Sequence, residues 1–170
     1  PGGAAGAEEI RKLLVEGEPE RWDAVTETLL HFAARRDHME TTVAPALAAG
    51  RIVITDRFAD STTAYQGYGR GLDLNLVQSV IDLAVGNTIP DLTLLLEIPL
   101  DISEERQSKR SGTDRFESGD RAFFERVAAG YQTIAKAHSD RISTIDATLP
   151  IESVTDLCHE IITRRMEKCR

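Results

Sequence analysis

The chain has 170 residues, 41% hydrophobic and 28% charged, with a formal net charge of −8. That length holds one domain with a real core, and the composition is that of an ordinary soluble globular protein. The acidic balance argues against a large nucleic-acid footprint, and the longest apolar runs are too short to span a membrane.

The two cysteines, Cys158 and Cys169, show neither zinc spacing nor a disulfide framework, which fits a reduced, cytoplasmic setting. No internal repeat, low-complexity tract or domain linker interrupts the chain.

Residues 1–6 read as a Gly-rich turn. Residues 7–15 suit a short helix with Ile10, Leu13 and Leu14 on one face, broken at Gly17 to Pro19. Residues 22–49 form a long helix candidate. Val25, Leu29, Phe32, Met39 and Val43 recur at helical spacing, Pro45 should kink its end, and Gly50 closes it. On this helix His31 and Arg35 stand at i and i+4 and share a face; Phe32 and Arg36 form a second such pair.

Residues 52–55 predict a short buried parallel strand running into Asp56 and Arg57. The hydroxyl-rich residues 58–66 read as a helix start or loop, and 67–71 as a flexible loop. Residues 74–85 predict an amphipathic helix with Leu76, Val80, Ile81, Leu83 and Ala84 as its apolar positions, stopped by Gly86-Asn87. Residues 92–98 predict a second buried strand, ended by Pro99.

A helix with Glu104, Glu105 and Arg106, capped by Asp101 or Ser103, leads into a basic segment from Lys109 to Arg115 with too few apolar residues for a core element. Residues 123–137 predict a helix with Phe124, Val127, Tyr131 and Ile134 inward. Residues 141–145 predict a last strand. Residues 150–166 predict a closing helix with Ile151, Val154, Leu157, Ile161 and Ile162 inward. Strands alternating with helices argue for an α/β fold with a parallel sheet.

In such sheets ligands bind beyond the carboxyl ends of the strands, where Asp56 and Arg57 would stand. An Arg offers a planar fork that matches phosphate geometry. An adjacent Asp can orient that fork, accept a proton or hold a metal-bound water. Ser61, Thr62, Thr63, Tyr65 and Gln66 supply the donors and acceptors that a base and a sugar require.

The run from Asp56 to Gln66 resembles the signature of thymidylate kinases: Asp-Arg, an aromatic or His, then Ser-x-x-Ala-Tyr-Gln. Pro1-Gly2-Gly3, Ala33-Ala34-Arg35 with Pro45-Ala46-Leu47, the residues from Pro90 to Leu96, and Asp114-Arg115-Phe116-Glu117 resemble further stretches of that family in the same order. The resemblance implies a nucleoside monophosphate kinase fold of the phosphate-loop class. Family members begin with a strand, a Gly-x-x-x-x-Gly-Lys-Ser/Thr loop, a helix and a strand ending Arg-Glu-Pro-Gly-Gly. This sequence opens at the Pro of that motif, and no Gly-Lys-Ser or Gly-Lys-Thr occurs in it. The expectation is therefore residues 1–170 as a single, incomplete kinase domain without the first βαβ portion, with a lid at about 106–118.

By resemblance, the reaction is transfer of the ATP γ-phosphoryl group to dTMP, with Mg²⁺ as cofactor. Arg57 would grip the acceptor phosphate, and Asp56 would orient it or hold a magnesium-bound water. Arg35 and Thr62 would bond the thymine edge with Gln66 close by, Tyr65 would pack under the sugar, and Arg110 would stabilise the transferring group. Arg106 and Arg115 would lie in the lid, and the long helix would pair two copies as a homodimer. Counting back from Pro45 puts His31 in the base-stacking place; the alternative register uses Phe32 and Arg36. Two other readings stay open: a non-catalytic nucleotide-binding remnant, and a monophosphate kinase of different base preference.

Overall fold

The computed structural model describes residues 3–18, 21–109 and 120–168. Helix α1 (Ala5–Val15) buries Ala7 and Leu14, while Leu13 stays 40% exposed. Its amino end is tied to the next helix, because the Ala7 N–H donates to the Asp37 carboxylate at 2.8 Å. Helix α2 (Ala24–His38) starts at Asp23, whose carboxylate accepts the Val25 and Thr26 N–H groups at 2.9 and 3.1 Å. Those first-turn donors have no partner within the helix, so the cap fixes where it begins.

The predicted 22–49 helix is one path in three pieces. After α2 comes a π-helical turn (Met39–Val43), then α3 (Ala44–Ala48). In the wide turn the Ala44 N–H reaches back to the Met39 carbonyl. Pro45 sits in the first turn of α3, where a missing N–H is tolerated.

Helix α4 (Ala59–Thr62) continues directly into a second π-helical turn (Thr63–Gly69). The predicted flexible loop at 67–71 is thereby corrected: Gly67 and Gly69 are buried inside this turn. Their lack of a side chain is what lets the turn pack. A Cβ at Gly67 would stand 2.6 Å from Leu74, and one at Gly69 would stand 2.6 Å from Phe123. Helix α5 (Leu74–Val85) is capped by the Asp73 carboxylate. Its buried positions are Val77, Ala84 and Val85, so its inner face is rotated from the predicted one; Leu76 and Leu83 are 45% and 82% exposed.

Phe32, Met39, Val43, Ala84 and Val85 form the core joining α2, the first π turn and α5, with Val53, Phe58, Val80 and Ile81 packed around it. Residues 51–55 correct the sequence expectation. They form no strand; Val53 meets the core, while Ile52 and Ile54 are 71% and 88% exposed. A strand is defined by a ladder to a neighbour, and among the described residues none pairs with this segment.

The strands that do form are β1 (Thr93–Glu97) and β2 (Ile142–Asp146), paired in parallel with Thr93 opposite Ile142 and Glu97 opposite Asp146. Helix α6 (Leu100–Ser108) follows Pro99 with no side-chain cap, in place of the expected Asp101 or Ser103 cap. Helix α7 (Arg121–Ala137) buries Val127 and Ile134. Helix α8 (Ile151–Lys168) has no buried residue; Val154 and Ile161 are half-buried and Ile151, predicted inward, is 75% exposed.

The chain divides into two compact units, Pro1–Thr88 with Thr113–Gly130, and Ile89–Gly112 with Tyr131–Arg170. Among the described residues no helix is long and apolar enough to cross a membrane.

Candidate functional site

The residues singled out around Asp56 fall within the first unit and are held by α2, α4 and the π turn after it. Glu27, His31 and Arg35 follow at i, i+4 and i+8, which lines them along one face of α2. Thr62 and Gln66, one turn apart, answer them. The Arg35 guanidinium donates to the Thr62 hydroxyl at 3.0 Å and to the Phe58 carbonyl at 3.2 Å. Two rings flank that cation, Phe32 at 4.9 Å and Phe58 at 5.5 Å from centroid to guanidinium carbon. Arg35 is 9% exposed, so its fork is desolvated and aimed by its neighbours.

Phe32, 2% exposed, is a core residue under Arg35, whereas His31 is only half-buried. Arg36, of the alternative register, pairs with Glu40 at 3.0 Å and donates to the Ala84 carbonyl at 3.4 Å.

Asp56 and Arg57 stand exposed just after the segment 51–55. Arg57 has φ +65°, the sole positive φ outside glycine among the described residues. A residue with a Cβ enters that left-handed region only where its surroundings hold it there. The Thr55 hydroxyl donates to the Arg57 carbonyl at 3.1 Å, and the Arg57 guanidinium lies 5.1 Å from the Tyr65 ring centroid. Tyr65 in turn meets Phe123 edge to face at 6.0 Å.

Gln66 was expected near the base. Its side chain is 2% exposed, and its amide donates to the Glu27 carboxylate at 3.0 Å. Arg70 reaches the same carboxylate, its Nε at 3.2 Å and Nη2 at 3.4 Å. Sequence reasoning missed both Glu27 and Arg70. The signal was present: a carboxylate in phase with His31 and Arg35 on the inner face of a helix.

Arg106, a predicted lid residue, lies on α6 and donates to the Ala147 carbonyl at 3.0 Å. Arg110 and Arg115 lie outside the described residues. Among the described residues no group of three or more His, Cys, Asp or Glu side chains could hold a metal ion.

The arrangement can do three things. Exposed Arg57 can neutralise a terminal phosphate, a buried and aimed Arg35 can read a carbonyl edge, and Tyr65 provides a ring beside Arg57. The thymidylate kinase family model matches residues 1–158. A thymidylate kinase of Caulobacter vibrioides is 46% identical over 166 residues, covering 98% of this chain and 80% of that protein. One of Dinoroseobacter shibae is 50% identical over 151 residues, covering 88% and 72%. The crystal structure of the Ehrlichia chaffeensis thymidylate kinase superposes with a TM-score of 0.74 at 31% identity, covering 96% of this chain and 76% of that one. With the signature run, its geometry and these matches in agreement, the chain belongs to the thymidylate kinase family.

Proposed function

We propose that α2, α4 and the π turn after it form the acceptor side of a thymidylate kinase, and that dTMP lies across Arg57, Tyr65 and Arg35. The reaction is transfer of the ATP γ-phosphoryl group to dTMP. Such a transfer asks a protein mainly for alignment and charge neutralisation. Arg57 neutralises the 5′-phosphate of dTMP. Arg35, with Thr62 fixing one arm of its fork, donates to a thymine carbonyl. Tyr65 lies against the deoxyribose, where a 2′-hydroxyl would collide, and His31 stacks on the base. The observation that carries this reading is the buried hydrogen bond from Arg35 on α2 to Thr62, which lies on the same α4–π segment as Tyr65 beside Arg57.

The donor set fits Mg²⁺ in one way. Asp56 is a single exposed carboxylate at the rim, and Mg²⁺ is ordinarily held by one or two carboxylates, waters and substrate phosphates. Asp56 would hold it through a water; when bound, the ion offsets charge on the phosphates. By the family resemblance, Arg110 would stabilise the transferring group, with Arg106 and Arg115 as lid residues. Val25 and Leu29, 43% and 53% exposed one turn apart on α2, support a homodimer through that helix. The cysteine usage supports a cytoplasmic setting.

Calorimetric titration of the full chain tests the reading. dTMP should bind more tightly than dCMP, dAMP and dGMP, and Arg57→Ala should abolish the tight phase. Equal affinity for all four monophosphates would refute the assignment of Arg35 and Thr62 to the thymine edge.

A further inference from the structure

Glu27 is the most fully buried charged group among the described residues, at 0% exposure. An ionised carboxylate is kept out of water only where partners replace its hydration. Here both oxygens are engaged from the segment opposite. Oε1 takes the Gln66 amide and the Arg70 Nε, and Oε2 takes Arg70 Nη2. Gln66 lies inside the π turn and Arg70 is the residue that ends it, its own N–H reaching the Tyr65 carbonyl at 2.9 Å.

A π turn carries one more residue than an α turn, is rare, and forms where specific contacts hold it open. The polar tie is matched by packing on the other side. Gly69 lies against Phe123 and Val127, Gly130 lies against Tyr68, and the Arg126 guanidinium donates to the Gly69 carbonyl at 2.9 Å. The rotation of this turn sets where the Tyr65 ring points. If the turn relaxed by one residue toward α-helical winding, Tyr65 would swing by about 100° around its axis.

We propose that Glu27 is a positioning residue for acceptor selection: by clamping Gln66 and Arg70 it fixes the winding of the Thr63–Gly69 turn, and so the ring of Tyr65 that discriminates deoxyribose from ribose. Glu27 itself touches no substrate. This inference rests on the acceptor-site reading above and deepens it.

The experiment measures dissociation constants of dTMP and of its ribose counterpart, ribothymidine 5′-monophosphate, for the 170-residue chain. Glu27→Gln keeps the shape but removes the charge that holds Arg70. In that variant dTMP binding should weaken by about tenfold, as expected for a misaimed contact, while the ribonucleotide weakens far less, so the ratio narrows. A merely structural residue would lower the melting temperature and leave the ratio intact. A folded Glu27→Gln variant with the wild-type ratio overturns the proposal. Should that variant fail to fold, Arg70→Lys decides. It keeps a cation on a partly exposed side chain, 34% accessible, but loses the two-armed hold. A narrowed ratio supports the proposal and an unchanged one overturns it. Wild-type protein that shows no preference between the two nucleotides would instead defeat the acceptor-site reading on which the proposal stands.

Discussion

Replacing Gly69 by Ala sets two opposing effects against each other at the wall of the site. Gly69 ends the second π turn without a positive φ, so its backbone accepts an L side chain. Ala reduces the freedom of the unfolded chain, which by itself stabilises by about 0.4–1 kcal/mol. Against this, the added Cβ would stand 2.6 Å from the Phe123 ring edge and 2.7 Å from a Val127 methyl. Ordinary contact begins near 3.4 Å, so Phe123 must retreat by about 0.8 Å.

Neither neighbour yields easily. Val127 is 5% exposed and β-branched, with essentially one χ1 rotamer in a helix. Phe123 is held by Tyr65 at 6.0 Å, by Phe124 at 5.2 Å and by the Arg70 cation at 5.8 Å. Overpacking of this kind costs about 1–3 kcal/mol, so the steric term at least offsets the entropic one and the net loss is up to about 2.6 kcal/mol. For a chain of this size that is a fall in melting temperature of up to about 10 °C. Displacing Phe123 also shifts the edge against which Tyr65 leans, so dTMP affinity should drop with stability. Thermal melts and titration of the same preparation check both. A Gly69→Ala protein that melts higher than wild type and binds dTMP unchanged would refute the packing described here.

Other substitutions probe separate contacts. Arg57→Ala removes charge-assisted bonds to the acceptor phosphate worth about 1.5–3 kcal/mol apiece, so dTMP affinity should fall by at least tenfold while the nucleoside thymidine binds as before; calorimetry distinguishes the two ligands. Thr62→Val preserves shape but deletes the hydroxyl that accepts from Arg35 at 3.0 Å, so discrimination between dTMP and dCMP should narrow in a competition titration. Tyr65→Ala should bring the deoxyribose and ribose monophosphates closer in affinity, read from the ratio of their dissociation constants.

The Asp23 cap makes a pH prediction. Hydrogen bonds from the Thr26 side chain and backbone lower its pKa from 3.8. The folded state therefore binds its proton less readily than the unfolded chain. The stabilisation is fully present above the unfolded value and is lost as pH falls through the lower folded one. Urea melts between pH 5 and pH 3 should show Asp23→Asn losing less stability than wild type over that interval.

Periodicity and punctuation were enough to place most helices. Asp73 and Gly86 bound α5 where the pattern put it, because caps and positive-φ glycines act within a few residues. The apolar run after Pro90 and the short one before Asp146 became the two paired strands. The Asp56–Gln66 signature marked Arg57, Thr62 and Tyr65, and helical phase put Arg35 with His31. All of this is chemistry between near neighbours in the chain.

What tertiary structure alone decided is which groups from distant stretches meet. Ile52 to Ile54 has strand chemistry but no ladder among the described residues, since pairing is a property of two segments. The sequence proposed a loop at 67–71, yet Gly67 and Gly69 became a buried π turn because Leu74, Phe123 and Val127 close on them from elsewhere. Gln66 looked like a substrate ligand by type and neighbourhood; its partner turned out to be Glu27, 39 residues away. Residue type and spacing determine what each side chain can bond. Which of those bonds form depends on long-range packing, where burial makes every unpaired polar group too costly to leave alone.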